Sequence, residues 1–224
     1  MFEVTAIPAL IDNYIWCWQL PCSGWVVVDP GAYTPVIKRL SGGDLKYILL
    51  THHHNDHTGG VAELKAHFPD VKVCGPKAAC RHIDHELVAG DEILGFKIIA
   101  TPGHTKDHII FVSKEQVFLG DHLFKYGCGR IFETDHNTMY QSLAKIKTLD
   151  PGLICYPAHE YTLKNLKFAS IYKPWPNIEH ELKAASSVSI SLPMSLGPEL
   201  EKNPFLNCLN LDEFIELRTL RDNF

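Results

Sequence analysis

The chain has 224 residues, 46% of them hydrophobic and 21% charged, with a formal charge of −5. That length suits one large domain, or one domain with a small addition, and can bury a core without disulfide staples. The negative charge argues against a broad nucleic-acid-binding face. In chain order, strands are expected at Tyr14–Leu20, Trp25–Asp29, Lys46–Leu50, Val71–Cys74, Lys97–Ala100, His108–Val112, Gln116–Leu119 and Leu153–Tyr156. These runs are rich in Val, Ile, Phe, Tyr and Trp and are bounded by turn residues. Helices are expected at Thr34–Leu40, Gly60–His67, Pro76–His82 and Thr138–Leu149.

The pattern changes after His159, where no strand is expected. A helix over Leu163–Tyr172 stops before Pro174-Trp175-Pro176, because proline cannot continue a helix. Asn177 is placed to cap the next helix, with Glu179 and Glu181 in its first turn. A last helix is expected from Leu211, with Asp212 as its cap. The alternation of strands and helices points to an α/β (α+β) domain over residues 1–162 with a small helical domain over 163–224.

Seven cysteines at scattered spacings, without a CxxC pair, read as reduced thiols rather than a disulfide framework. No Lys or Arg precedes Lys38, so a secretory signal is not expected. No apolar run approaches a membrane span. The expected setting is cytoplasmic, with no membrane or nucleic-acid partner.

Histidine is over-used, at 13 residues. Four of these fall with a carboxylate in His52-His53-His54-Asn55-Asp56-His57, after the apolar run Tyr47–Leu50. A loop at a strand end can aim alternate side chains to one side, so His52 and His54 can share one metal while Asp56 and His57 face another. A merely solvated polar loop is the competing reading. Three further apolar strands end in ligand-type residues: His104 after Thr101-Pro102-Gly103, Asp121 after Gly120, and His159 after Pro157-Ala158. Strand-end loops on a rigid scaffold are where sites are commonly built. Five histidines and two carboxylates, without cysteine, suit zinc, iron or manganese. Seven donors exceed one tetrahedral ion and fit two divalent ions sharing a carboxylate and a bridging hydroxide.

Thr51-His52-His53-His54-Asn55-Asp56-His57 resembles the T-H-x-H-x-D-H signature of the metallo-β-lactamase superfamily. Gly103-His104-Thr105, Gly120-Asp121-His122 and Ala158-His159-Glu160 are similar to its later motifs. The resemblance implies an αββα sandwich. It implies His52, His54 and His104 on the first metal, Asp56, His57 and His159 on the second, and Asp121 bridging. His53 then points away.

Three stretches resemble one branch, glyoxalase II or hydroxyacylglutathione hydrolase: Gly127-Cys128-Gly129-Arg130-Ile131-Phe132-Glu133, His159–Ala169, and Asn203-Pro204-Phe205-Leu206 with Arg218–Asp222. This implies hydrolysis of the thioester of S-(2-hydroxyacyl)glutathione, S-D-lactoylglutathione, to D-lactate and glutathione, a step of methylglyoxal detoxification. Asp56 and Asp121 would act with the bridging hydroxide. Arg130, Phe132, Tyr161, Arg218 and Arg221 would contact the substrate, arginine being suited to its carboxylates. Two departures stand out: Phe132 where tyrosine is common and Arg221 where lysine is usual. A monomer loaded with two zinc ions is expected, with iron or manganese as substitutes. The alternatives are a glutathione persulfide dioxygenase with mononuclear iron, or another hydrolase of the fold such as a lactonase. His108 is expected to be packed, His122 to lie outside the ligand set, and Cys128 to lack a base.

Overall fold

A computed structural model describes residues 2–21 and 23–224; Cys22, one of the expected thiols, lies outside the described residues. The chain forms two compact units. The first takes residues up to Ala100 with Asp107–Ser113; the second takes Thr101–Lys106 and Lys114–Phe224.

In the first unit, β1 (Thr5–Ala9), β2 (Asn13–Gln19) and β3 (Trp25–Val28) form an antiparallel meander. The chain then crosses through α1 (Tyr33–Leu40) to β4 (Leu45–Leu49), parallel to β3. It crosses again through α2 (Asn55–Thr58) and α3 (Val61–His67) to β5 (Lys72–Gly75), which pairs with the short β6 (His85–Glu86). β7 (Glu92–Ile93), β8 (Phe96–Ala100) and β9 (Ile109–Val112) form a second antiparallel meander. Val26, Val27 and Val28 are all buried, because layers cover both faces of the parallel strands. Ile15, Val27, Ile48 and Val73 pack with Val36 of α1 and Leu64 of α3 on one face. On the other, Trp18 meets Phe96 of β8 at 5.7 Å between ring centroids.

In the second unit, β10 (Gln116–Gly120) is followed by a tight hairpin, β11 (Leu123–Phe124) and β12 (Gly127–Cys128). α4 (His136–Ile146) carries the chain to β13 (Ile154–Pro157), parallel to β10. Then come α5 (Thr162–Tyr172), α6 (Ile178–Ser186), β14 (Met194–Ser195), α7 (Leu196–Lys202) and α8 (Leu211–Asp222). Phe168 of α5 stacks on Phe205, which in turn meets Phe214 of α8 edge-on.

Several expectations need correction. Residues 76–82 form turns, not a helix. Pro76 sits at their start, and only a few small apolar groups (Ala79, Cys80) reach the core, too little to offset helix nucleation. A strand does follow His159: Met194 and Ser195 pair with Cys155 and Ile154. The last helix is capped by Asn210, whose side chain accepts from the Glu213 N–H, and not by Asp212. Asn177 holds the N-cap position of α6 but makes no side-chain cap bond, at a left-handed φ of 69°. The histidine-rich segment is only half a loop: Asp56 and His57 ride on the single turn α2.

Candidate metal centre and arginine cluster

β4 ends at Leu49, and the chain bends at Thr51 and runs through His52-His53, with His54 extended, before turning into α2. That change aims His52, His54 and His57 together. Ring centroids lie 4.8 Å apart for His52 and His54 and 4.1 Å for His52 and His57. His57 Nε2 stands 3.4 Å from Asp56 Oδ2. The same Asp56 oxygen accepts from Asn13 Nδ2 at 3.0 Å. Gly31 is required here, because a Cβ would sit 1.8 Å from the Asp56 carbonyl oxygen.

A buried carboxylate holds this half in register. Asp29 Oδ1 accepts the Thr51 N–H at 2.8 Å, and Oδ2 accepts the Thr51 hydroxyl at 2.7 Å. Thr51 Oγ1, having given its proton to Asp29, accepts from His52 Nδ1 at 2.9 Å. Asp29 Oδ2 also faces His57 Nδ1 at 3.1 Å. Both imidazoles are thereby protonated at Nδ1, and their Nε2 lone pairs face outward as metal donors must. The sequence reading missed Asp29, Thr51 and Asn13 as supports. The signal for Asp29 was present, since it follows the apolar strand Val26–Val28 just as the chosen ligands follow theirs. His53 is turned to Asp107, Nδ1 to Oδ1 at 3.0 Å. His108 is fully buried, with its ring 5.1 Å from that of His52.

In the second unit, Asp121 lies at the end of β10 between two imidazoles. Its Oδ2 is 3.4 Å from His104 Nε2 and its Oδ1 is 3.3 Å from His159 Nε2. Two carboxylate oxygens offered to two different imidazoles is what a bridging ligand needs. His104 Nδ1 donates to the Arg130 carbonyl at 2.8 Å, which again leaves Nε2 as the donor atom. Gly129 has to be glycine, because a Cβ would meet the Asp121 carbonyl oxygen at 1.9 Å. Tyr161 stacks on His159 with centroids 4.8 Å apart, and Phe132 meets His104 edge-on at 5.3 Å. Phe132 is 58% exposed. Burial lowers the pKa of His122 to about 3 and keeps its imidazole neutral. Nitrogen and carboxylate donors of this kind, with the histidine tautomers fixed by acceptors behind them, fit zinc, iron or manganese.

Three guanidiniums gather beside this half. Arg218 is 4% exposed. Its Nη1 donates to the Cys128 carbonyl at 2.8 Å, its Nη2 to Asp222 Oδ1 at 2.8 Å, and its plane covers the Phe205 ring. Arg130 Nε reaches the same Asp222 oxygen at 3.2 Å. Arg221 Nη2 donates to Asn165 Oδ1 at 3.0 Å and lies over Phe168 and Phe224. Burial and the like charge of Arg218 lower the pKa of Arg221. The Cys128 thiol is pushed up by burial, against any role as a thiolate nucleophile.

Residues 13–159 match the model of the metallo-beta-lactamase superfamily, and residues 160–224 match that of the hydroxyacylglutathione hydrolase C-terminus. The hydroxyacylglutathione hydrolase of Haemophilus ducreyi is 40% identical, with 100% of each chain covered. That of Pectobacterium atrosepticum is 42% identical over 94% of this chain and 88% of its own. Among solved structures, ETHE1 from Myxococcus xanthus superposes with a TM-score of 0.75 at 24% identity, covering 98% of this chain and 90% of that one. The BLEG-1 B3 metallo-beta-lactamase gives 0.71 at 21% identity, covering 92% of this chain and 100% of that one. The fold is therefore the α/β metallo-β-lactamase fold with a helical C-terminal region, and the chain belongs to the hydroxyacylglutathione hydrolase family of the metallo-β-lactamase superfamily.

Proposed function

We propose that the chain hydrolyses the thioester of S-(2-hydroxyacyl)glutathione, with S-D-lactoylglutathione as substrate and D-lactate and glutathione as products. The observation that carries the reading is the arginine cluster: Arg130, Arg218 and Arg221 gather around Asp222, in a chain of net charge −5. Glutathione carries two carboxylates, and such a local excess of guanidinium is suited to hold them.

His52, His54, His104, Asp56, His57, His159 and Asp121 are the proposed ligands of two divalent ions, zinc by preference, with iron and manganese compatible with the same donors. Ions bound there supply Lewis acidity toward the thioester carbonyl and a nucleophile competent at neutral pH. The chain's own residues prepare that chemistry. Asp29, through Thr51 and directly, holds the Nδ1–H tautomer of His52 and His57 and aims their rings. The Arg130 carbonyl does the same for His104. Asp56 and Asp121 present the carboxylates. Arg130 and Arg221 attract the peptide carboxylates, the Tyr161 hydroxyl adds a donor, and exposed Phe132 offers an apolar edge. The departing thiol has an ordinary pKa of about 8.5, so the leaving group needs little help from an acid.

Residues 1–162 supply the ligands, and residues 163–224 form the glutathione-binding domain with Arg218 and Arg221. Every residue invoked comes from one chain, and a monomer is sufficient. Cys17, Cys74, Cys80, Cys128, Cys155 and Cys208 are free thiols, as a reducing cytoplasm would keep them. Among the described residues, no helix is long and apolar enough to cross a membrane.

Thiol release from S-D-lactoylglutathione, with metal analysis and with chelator added, tests the reading. Chelator-sensitive release with two metals per chain supports it. Oxygen uptake on glutathione persulfide with one iron per chain and no thioester turnover overturns it.

A further inference from the structure

We propose that Asn13 is the positioning residue of the second metal ion: its side-chain amide fixes the Asp56 carboxylate, so that this ion can be lost while the first is kept. The inference rests on the two-ion reading above. Asn13 opens β2 and is 7% exposed. From Tyr14 to Trp18 the strand is buried apolar core, so packing gives no reason for an amide at its start. The Asn13 Nδ2 lies 3.0 Å from Asp56 Oδ2 and 3.4 Å from the Asp56 carbonyl oxygen. One amide nitrogen therefore ties both the side chain and the backbone of Asp56 to the start of β2.

Oδ2 is also the oxygen turned to His57 Nε2, at 3.4 Å. With Nδ1 of His57 protonated toward Asp29, Nε2 and Oδ2 present lone pairs to one another, a pairing that a cation between them makes favourable. A carboxylate oxygen has two lone-pair directions; Asn13 takes one and leaves the other. The Asp56 side chain is 39% exposed, against 1% for that of His57. Burial thus fixes the imidazole, whereas the carboxylate needs a tether to keep one rotamer. A neutral amide supplies it without cancelling the negative charge that attracts an ion, as a lysine or arginine would. Asp29 acts differently: it supports His52 through Thr51 and His57 directly, one proposed ligand of each ion. Asn13 supports a ligand of the second ion, so the two ions have separable supports.

The test refills the metal-free chain with cobalt(II), followed by visible absorption, and with zinc, in competition with a chromophoric chelator. The variants are Asn13→Ala, Asp56→Ala, their combination and Asp29→Ala. The wild type should take two equivalents, and the equivalent weakened in Asp56→Ala identifies the second ion. Asn13→Ala should weaken that same equivalent about 10- to 100-fold, the usual cost of losing a group behind a ligand, and leave the other unchanged. On an Asp56→Ala background it should add no further loss, since the two residues act as one unit. Asp29→Ala should weaken both equivalents. Thiol release from S-D-lactoylglutathione by Asn13→Ala should fall at two equivalents of zinc and recover with zinc in excess. An amide that only held the turn between β1 and β2 would lower the urea midpoint and move both equivalents alike, or neither. Either of those results, or a loss that adds to that of Asp56→Ala, overturns the proposal. A wild type that takes a single equivalent overturns the two-ion reading and the proposal with it. The expected metal pattern in a wild type that hydrolyses no thioester overturns the hydrolase reading and supports the positioning role.

Discussion

Asp29 accepts from Thr51 twice and faces His57 Nδ1, and through Thr51 Oγ1 it also governs His52. A single buried carboxylate therefore sets the tautomer of two proposed ligands. Asp29→Ala should leave the fold assembled but weaken metal retention about 10- to 100-fold, the usual effect of losing such a support. Competition with a chromophoric chelator measures it, and unchanged retention would remove Asp29 from the site. Thr51→Ala should act through His52 alone and cost less. At this scale the sequence offered candidate ligands but not the residues that support them. His and Asp after an apolar strand are conspicuous, because no packing need puts them there. Asn13 and Thr51 are ordinary polar residues in sequence, and only the folded neighbours Asp56 and Asp29 reveal what they hold.

At the scale of elements, the hairpin β11–β12 explains how a helical tail can govern a strand-end site. Besides its own pairing, its backbone is held by side chains from the last third of the chain. Asn203 Nδ2 donates to the carbonyls of Phe124 and Gly127 and to Glu199, Asn165 Nδ2 to Lys125, and Arg218 to Cys128. The Tyr126 N–H, at a left-handed φ of 59°, is accepted by Glu199 at 2.8 Å. Asn203→Ala would strand two buried carbonyls and should lower unfolding free energy by about 1–3 kcal/mol, read as a lower urea midpoint. A loss below about 0.5 kcal/mol would show that the hairpin holds itself, as surface substitutions do.

Glu199 is itself buried among Tyr126, Lys125, Glu181 and Asn203, and burial raises its pKa from 4.5 to about 7. The folded chain then keeps a proton that the unfolded chain has released between those two values. Stability from this group is present at low pH and is lost as pH rises through that window. Glu199→Gln should flatten the decline between pH 4.5 and about pH 7 in urea titrations; an equally steep decline in the variant would assign it elsewhere. None of this clamp was legible beforehand. Two-residue strands carry no periodic signal, and α7 lies among Pro193, Pro198 and Pro204, residues that ordinarily break a helix. The longer elements were more legible: α4 buries one largely apolar side and ends where that side ends. Residues 76–82 read as helical, yet only tertiary contact decides so short a segment.

Across the whole molecule, a net charge of −5 sets a general repulsion against an anionic substrate, while Arg130, Arg218 and Arg221 oppose it locally. Asp222 sits among them and offsets part of that charge. The field that matters is short-ranged, for the Debye length is about 10 Å at 0.1 M salt and about 3 Å at 1 M. The distant negative surface is screened first, at modest salt, and the guanidinium contacts are weakened only when ions compete directly. For a glutathione thioester, kcat/KM should therefore change little at first and then fall several-fold as salt rises from about 0.1 M toward about 1 M. A thioester without carboxylates, such as S-D-lactoyl-N-acetylcysteamine, should be indifferent over the same range. Steady-state kinetics on both substrates across a sodium chloride series decides it. Parallel curves for the two would mean that salt acts on the protein rather than on the carboxylate grip, and that the arginine cluster serves packing alone.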